Sequence, residues 1–429
     1  MRGKRSRLAR LRAAMVDTTP LRTSRAFRWL YVGQAGFQFG RQVLVVAVPL
    51  QVFEMTGSSL QVGLVSLAQT VPLLLFAPIG GAAADTFDRR KILTIAQVVT
   101  GVATIGLALN STASAALWPI YVLMAIEAGM LGVEGPTRTA VIPTLVSRDQ
   151  LASAFALNQT LTQTASVVGP GLGGLLIAGL GLGATYWISA ATMLLASLAA
   201  IPLGPLPREG GEGRMTFAAT GDALRYLGRR PLLQQIMLID FNAMVFGMPR
   251  ALFPAFGTVL LGGDATTVGL LNAAPGAGAL AAAATTGWVS AVRRQGRVVV
   301  IAVTVWGLAI VGFGLTRNLA LALAFLAVAG AGDIISNVFR QTILQLDLPD
   351  SIRGRISAFK TVITAAGPRI GDVEAGAVAA LTTPTFSIVS GGLASVVGAW
   401  LIAWRGRALW NQDADQVPNH SEDDSGAEN

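Results

Sequence analysis

The strongest constraint on this chain is a series of apolar runs that follow one another almost without pause. A helix that crosses a bilayer needs about 20 mainly apolar residues. Twelve such runs are present, at roughly 31–53, 61–84, 92–110, 117–138, 155–178, 184–203, 232–260, 267–290, 298–315, 319–341, 356–381 and 384–404. Short polar or Gly/Pro-bearing turns separate most of them. A soluble core cannot bury twelve helices that are apolar on nearly every face. The pattern therefore predicts an all-α integral membrane protein with twelve transmembrane helices. Composition agrees: 13% of the 429 residues are charged, against about 25% in soluble domains.

The one long interruption, 204–230, begins Gly204-Pro205-Leu206-Pro207 and ends in Arg229-Arg230. It divides the chain into a basic arm (1–28), a six-helix bundle (29–203), a central loop (204–230), a second six-helix bundle (231–404) and an acidic tail (405–429) expected to be disordered. The halves echo each other. Val168-Gly169-Pro170-Gly171-Leu172-Gly173 matches Ala366-Gly367-Pro368-Arg369-Ile370-Gly371, and Arg138-Thr139 matches Arg340-Gln341. The offsets, 198 and 202 residues, are nearly equal. Two pseudo-symmetric bundles are expected, an arrangement typical of transporters that rock one bundle against the other around a midplane site.

The formal net charge of +9 tests the topology. Lys and Arg collect in cytoplasmic loops. With the N-terminus inside, basic residues fall in the arm, the loop after helix 2 (Arg89, Arg90, Lys91), the loop after helix 4 (Arg148), the central loop, the loop after helix 8 (Arg293, Arg294, Arg297), the loop after helix 10 (Arg353, Arg355) and the tail (Arg405, Arg407). The opposite loops hold only Arg317. A multi-pass protein of the plasma (inner) membrane, with both termini cytoplasmic, is expected. Charge spread over alternate loops does not make the single basic face that nucleic acid needs, so no nucleic-acid partner is expected. The arm lacks the apolar core and cleavage site of a signal peptide, and Met15 is an alternative start.

Other chemistry is excluded by residue type. There is no Cys, and the one His, His420, lies in the polar tail, which argues against thiol, imidazole or metal chemistry. No Gly-rich loop ends in Lys-Ser/Thr, so ATP hydrolysis is not expected. Neither a cofactor nor a metal is implied, and the chain does not read as an enzyme.

The loop Gly80-Gly81-Ala82-Ala83-Ala84-Asp85-Thr86-Phe87-Asp88-Arg89-Arg90-Lys91 resembles the signature loop of the major facilitator superfamily. Gly81, Asp85, Arg89 and Arg90 occupy the matching positions, and Asp88 stands where that pattern usually has Gly. The resemblance implies a gating loop on the cytoplasmic side, with Gly81 permitting close helix approach and Asp85 latching one conformation through a helix end or a basic partner. Arg25-Ala26-Phe27-Arg28, Met55-Thr56-Gly57-Ser58-Ser59-Leu60, Arg250-Ala251-Leu252-Phe253-Pro254 and Arg353-Gly354-Arg355-Ile356 are similar to segments of the enterobactin-exporter-like branch of that superfamily, which also contains multidrug-efflux members. In helix 5, Gly169, Pro170, Gly173 and Gly174 resemble the Gly-Pro-x-x-Gly-Gly core found in proton-linked antiporters. Pro frees a carbonyl and Gly allows tight packing, so a bend is expected there.

A charge at the bilayer centre costs at least about 2.5–3.5 kcal/mol on insertion scales. Each one in a span therefore needs a partner or a purpose. They are Arg41 in helix 1, Glu127 and Glu134 in helix 4, Asp240 and Arg250 in helix 7, Asp333 in helix 10, and the polar cluster Arg369, Asp372 and Glu374 in helix 11. Glu134 with Arg138, and Arg369 with Asp372, can close along their own helices. Glu127 and Asp240 have no such neighbour, and an unpaired carboxylate in an apolar span is what a proton carrier requires. Glu127 is the first candidate for proton coupling, followed by Asp240 and Asp333. For the last two an interhelical ion pair with Arg41 or Arg250 is the alternative. Helices 1 and 7 line the cavity in the superfamily, so Arg41 and Arg250 would suit an anionic or catecholate-like substrate. Gln34, Gln38, Gln159, Gln163 and Asn242 would add polar contacts.

Together these features predict a monomeric, proton-coupled secondary exporter working by alternating access. Its partners would be the lipid bilayer, protons and a small organic substrate, either a siderophore or a hydrophobic drug. The alternatives are an importer on the same fold and a non-transporting membrane sensor or scaffold.

Overall fold

The computed structural model describes residues 17–113, 115–204, 225–285, 292–348, 350–406 and 408–412. Most of the basic arm, the alternative start, residues 205–224 of the central loop, residues 286–291 of the loop after helix 8 and most of the acidic tail lie outside them. So do the side chains of Asp85, Arg353 and Arg355.

The described residues are mostly helical, with no strand. After a short turn of helix at Thr19–Thr23 come α1 (Arg25–Thr56), α2 (Ser59–Thr86), α3 (Arg89–Thr112) and α4 (Leu117–Leu145). The stretch Leu151–Leu198 carries two of the expected spans, α5 (151–180) and α6 (182–198), joined at Gly181. That residue has φ 81° and ψ 167°, a region essentially reserved for glycine. The second half contains α7 (Pro231–Phe246), α8 (Ala265–Ala283), α9 (Gln295–Leu315), α10 (Leu319–Asp347), α11 (Asp350–Leu381) and α12 (Pro384–Gly406). Beyond α7 the chain breaks at Gly247 and continues as tighter and wider turns, a 3-10 turn at Arg250–Leu252 and a π turn at Phe256–Leu260.

Ten of the expected runs fall on these helices; run 232–260 continues past α7 into the broken segment beyond Gly247, and run 267–290 extends past the end of α8 beyond the described residues. Eight stretches of the described residues are long and apolar enough to cross a membrane by themselves, and one of them, Arg148–Leu203, holds both α5 and α6. α1, α8 and α11 carry charged, polar or small residues that dilute their apolarity. The polarity gradient is that of a membrane protein. Leu75, Ile79, Ile95, Leu195, Leu308 and Leu381 face outward, while Glu127, Glu134, Asp240 and Arg340 are buried. In lipid, backbone groups must be satisfied within the segment, which helices achieve.

The chain separates into two compact units: Met1–Val48 with Val71–Gly211, and Pro49–Thr70 with Glu212–Asn429. In the first, α3 packs against α4 and the α5–α6 stretch. An apolar cluster of Phe27, Leu30, Leu93, Val141, Ile142, Ala154 and Leu157 ties the ends of α1, α3, α4 and α5 together. In the second, α10 packs against α8 and α9, and α12 against α9. A corresponding cluster of Leu233, Met237, Leu344, Leu348 and Ile356 joins α7, α10 and α11.

The repeat is visible in one crossing of each unit. Gly169 and Gly173 of α5 lie against Gln42 and Val43 of α1, so closely that a Cβ at Gly169 would collide with that of Gln42. Gly367 and Gly371 of α11 lie against Met244 and Val245 of α7 in the same way. Gly169, Pro170, Gly173 and Gly174 are buried and keep helical backbone angles; the residue of the stretch with non-helical angles is Gly181. The Gly-Pro motif makes a packing seam.

Candidate functional site

The loop after α2 is built around arginine. Arg89 is buried, and its guanidinium donates to the carbonyl of Ala84 at 3.1 Å and of Ala140 at 2.9 Å. It therefore caps the end of α2 and fastens it to α4. Arg90 donates to the carbonyl of Ile201 at 3.4 Å. Asp88, the departure from the family pattern, is the N-cap of α3: its carboxylate accepts the backbone N–H of Arg90 at 3.0 Å. With φ −62° and ψ 112° at Asp88, the turn has no need of glycine. One expectation is corrected. Nothing approaches within 4 Å of where a Cβ of Gly81 would be, and the close helix contact belongs to Gly80, pressed against Val133 of α4.

The buried charges of the first unit form two contacts between helices. Gln34 of α1 donates to Oε1 of Glu134 at 2.8 Å and accepts from Arg138 at 3.1 Å. Arg138 and Glu134 are 3.8 Å apart. Gln34 is thus a bridging residue of a closed triangle and not a free cavity contact. Farther along α1, Arg41 stands 3.9 Å from Glu127 of α4. Glu127 has no basic neighbour on its own helix but faces one across the helix pair. Gln38 is buried, Gln163 half-buried and Gln159 exposed.

The second unit has the counterpart of that triangle. Arg340 of α10, 202 residues after Arg138, is fully buried and lies 3.0 Å from Asp240 of α7 and 3.9 Å from Asp333 of α10. Sequence reasoning missed Arg340 as a partner, proposing Arg41 or Arg250 instead. The signal that pointed to it was its match with Arg138. The carboxylates have been redistributed between the halves. Glu134 corresponds to Ser336 at the same offset, and the acid facing the arginine comes from α7. The Asp240 side chain is 2% exposed and that of Asp333 34%, and the Asp333 Oδ1 facing Arg340 is itself buried, so Asp240 is the more deeply enclosed of the two. Lys360 of α11 is buried close by, with its ammonium 3.4 Å from Oδ1 of Asn337. Lys360 also helps line an open cavity of about 480 Å³ with Gln341, Gln345, Thr361 and Thr364.

Two further residues differ from expectation. Asn242 donates to the carbonyl of Ser395 at 2.9 Å and is clamped by Gly398, so it packs α7 onto α12. Arg250 is exposed, at the first position of the turn beyond the α7 break. In the α11 cluster, the hydrogen bonds that fix Asp372 come from other elements: Ser66 Oγ of α2 at 2.7 Å and the backbone N–H of Ala251 at 2.9 Å. Arg369 donates to the carbonyl of Ala365 at 2.5 Å, and Glu374 is half-buried. Gly63 and Gly376 let α2 and α11 meet closely around this point.

Helices with apolar outer faces, arranged in repeat-related halves with an arginine-centred ion cluster in each, define a transporter of the major facilitator fold. The chain belongs to the transmembrane secretion effector family, whose sequence pattern it matches over residues 16–425. It is 31% identical over 413 residues to the enterobactin exporter EntS of Citrobacter koseri, covering 94% of this chain and 98% of that protein. It is 30% identical over 390 residues to the enterobactin exporter of Escherichia coli, covering 89% and 92%. Among solved structures, it resembles the nucleoside transporter NupG with a TM-score of 0.72 at 13% identity, covering 88% of this chain and 99% of that one. It resembles a POT family transporter in complex with 5-aminolevulinic acid with a TM-score of 0.73 at 10% identity, covering 90% and 97%. At such identities the likeness is one of fold.

Proposed function

We propose that this protein is a proton-coupled secondary exporter of a small organic molecule, working by alternating access in the inner membrane with both termini cytoplasmic. The observation that carries the coupling is the cluster in which Asp240 and Asp333 compete for the single guanidinium of Arg340. A proton arriving at Asp333, the less enclosed of the two, leaves Arg340 wholly to Asp240. A proton passed on to Asp240 releases Arg340 and loosens α7 from α10. Protonation is thereby converted into a choice between helix arrangements, the event that alternating access requires. Arg41 and Glu127 give the first unit a similar switch between α1 and α4, which retains Glu127 as a second coupling site. In this reading Asp85, Arg89 and Arg90 gate the cytoplasmic side, and the protein acts as a monomer.

The relatives' substrate directs the choice of cargo. A catecholate siderophore is anionic and aromatic, and Arg41 and Arg250 offer cations, with Gln38, Gln159 and Gln163 as neutral hydrogen-bonding groups. Gln34 and Asn242 are occupied structurally and are withdrawn from this role. Deleting the gene and profiling metabolites under iron limitation tests the cargo. Secreted siderophore should fall and its intracellular pool rise, both restored by the wild-type gene. An unchanged siderophore profile with increased sensitivity to hydrophobic drugs would move the assignment to drug efflux.

A further inference from the structure

The second unit carries a feature that transport does not explain. α12 ends with Trp400 and Trp404, and the chain then turns over 408–411 to bring Trp410 beside them. The turn is fastened at three points. Leu409, fully buried, donates its backbone N–H to Oε1 of Gln235 at 2.8 Å. Its carbonyl sits against Gly296 at the start of α9, where a Cβ would leave no room. Gly406 is pressed onto the side chain of Gln235 in the same manner. The rings of Trp400 and Trp410 are 5.5 Å apart at 45°, and Trp400 donates its indole N–H to Thr304 Oγ1 at 3.0 Å. Arg297 lies over the Trp410 ring at 5.1 Å, and its Nε donates to the Trp410 carbonyl at 3.4 Å.

The result is an aromatic cup with the Arg297 guanidinium over one of its rings. Trp400, Ala403, Trp404, Trp410 and Asn411 line an open cavity of about 380 Å³. Trp404 is 71% exposed. Arg405 follows it directly, and Arg293 and Arg294, both exposed, precede α9. The cup lies where α12 leaves and α9 enters the apolar layer, which is the level of lipid headgroups. Indole rings favour that level because one edge is polar and the rest is apolar. Arginines there attract anionic lipid.

We propose that this cup binds an anionic phospholipid, with its phosphate on Arg297 and Arg405 and its acyl chains against Trp400 and Trp404. The lipid takes the place that solvent or neutral lipid would otherwise occupy and braces α9 against α12. This inference is independent of what the protein transports. The rival occupant is the chain's own acidic tail, which holds Asp413, Asp415, Glu422, Asp423, Asp424 and Glu428.

The test is native mass spectrometry of the full-length protein in detergent with dioleoyl phosphatidylglycerol or dioleoyl phosphatidylcholine added in equal amounts. Wild type should retain phosphatidylglycerol in preference. Arg297→Gln and the exposed Arg405→Gln should each weaken that retention by roughly fivefold, and Trp404→Ala should weaken both lipids together. Arg405 bears on no buried contact, so its variant keeps the test valid if Arg297→Gln fails to fold. Equal retention of the two lipids, or unchanged retention in both arginine variants, would overturn the proposal. So would a full-length chain with the six tail acids amidated that binds phosphatidylglycerol when wild type does not, because the tail would then own the cup.

Discussion

Arg340 is the residue on which the proposed coupling turns. A buried ion costs several kcal/mol unless it is paired, and removing one partner leaves the others exposed to that cost. Arg340→Ala strands Asp240 in an apolar environment and should destabilise the protein by about 3–5 kcal/mol, read as a clear fall in Tm in detergent. Asp240→Asn removes a charge yet leaves Arg340 facing Asp333, so it should melt much closer to wild type. Asp240 and Asp333 could be picked out from sequence because an acid in an apolar run is conspicuous. Arg340 could not, because a basic residue near the end of a span already has a role in topology. Only its match to Arg138 marked it, and that match carried no indication of which acids it would face. The substitution of Glu134 by Ser336, with the carboxylate moved to α7, is a tertiary rearrangement that local sequence does not encode.

Among the elements, the helix crossings decide which small residues matter. Gly169→Val and Gly367→Val should each cost about 1–3 kcal/mol through overpacking against α1 and α7. Gly171→Val, on the same helix as Gly169 with nothing within 4 Å of its Cβ position, should cost far less. Thermal melts of the purified variants check the contrast. Comparable losses at Gly169 and Gly171 would mean that the seam is not there. The α2–α11 contact makes a second demand. Hydrogen bonds to a charged group contribute about 1.5–3 kcal/mol, so Ser66→Ala and Asp372→Asn should both destabilise. In combination they should cost less than the sum of their separate effects, because they share one bond. The helix positions were legible from apolar length alone. The detail within them was not: Gly81 fits the family pattern while Gly80 makes the contact, and the joint between α5 and α6 is a single residue, Gly181. Which glycine meets a neighbour depends on how the two helices cross.

For the whole molecule, twelve apolar runs and a 202-residue echo were enough to predict two repeat-related bundles, because the bilayer removes most alternatives to long helices. The same physics hides the site. A transport pathway is defined by a few charges on different helices, and their pairing appears only when α1 meets α4 and α7 meets α10. The proposed role of those pairings, coupling protons to export, can be read in proteoliposomes holding a pH-sensitive dye, with a catecholate siderophore added as substrate. Wild type should move protons when substrate is added. Asp240→Asn and Asp333→Asn should bind substrate yet move none, and Glu127→Gln should weaken the response. Full substrate-driven proton movement in both aspartate variants, in correctly folded protein, would mean that the Arg340 cluster does not couple protons to export.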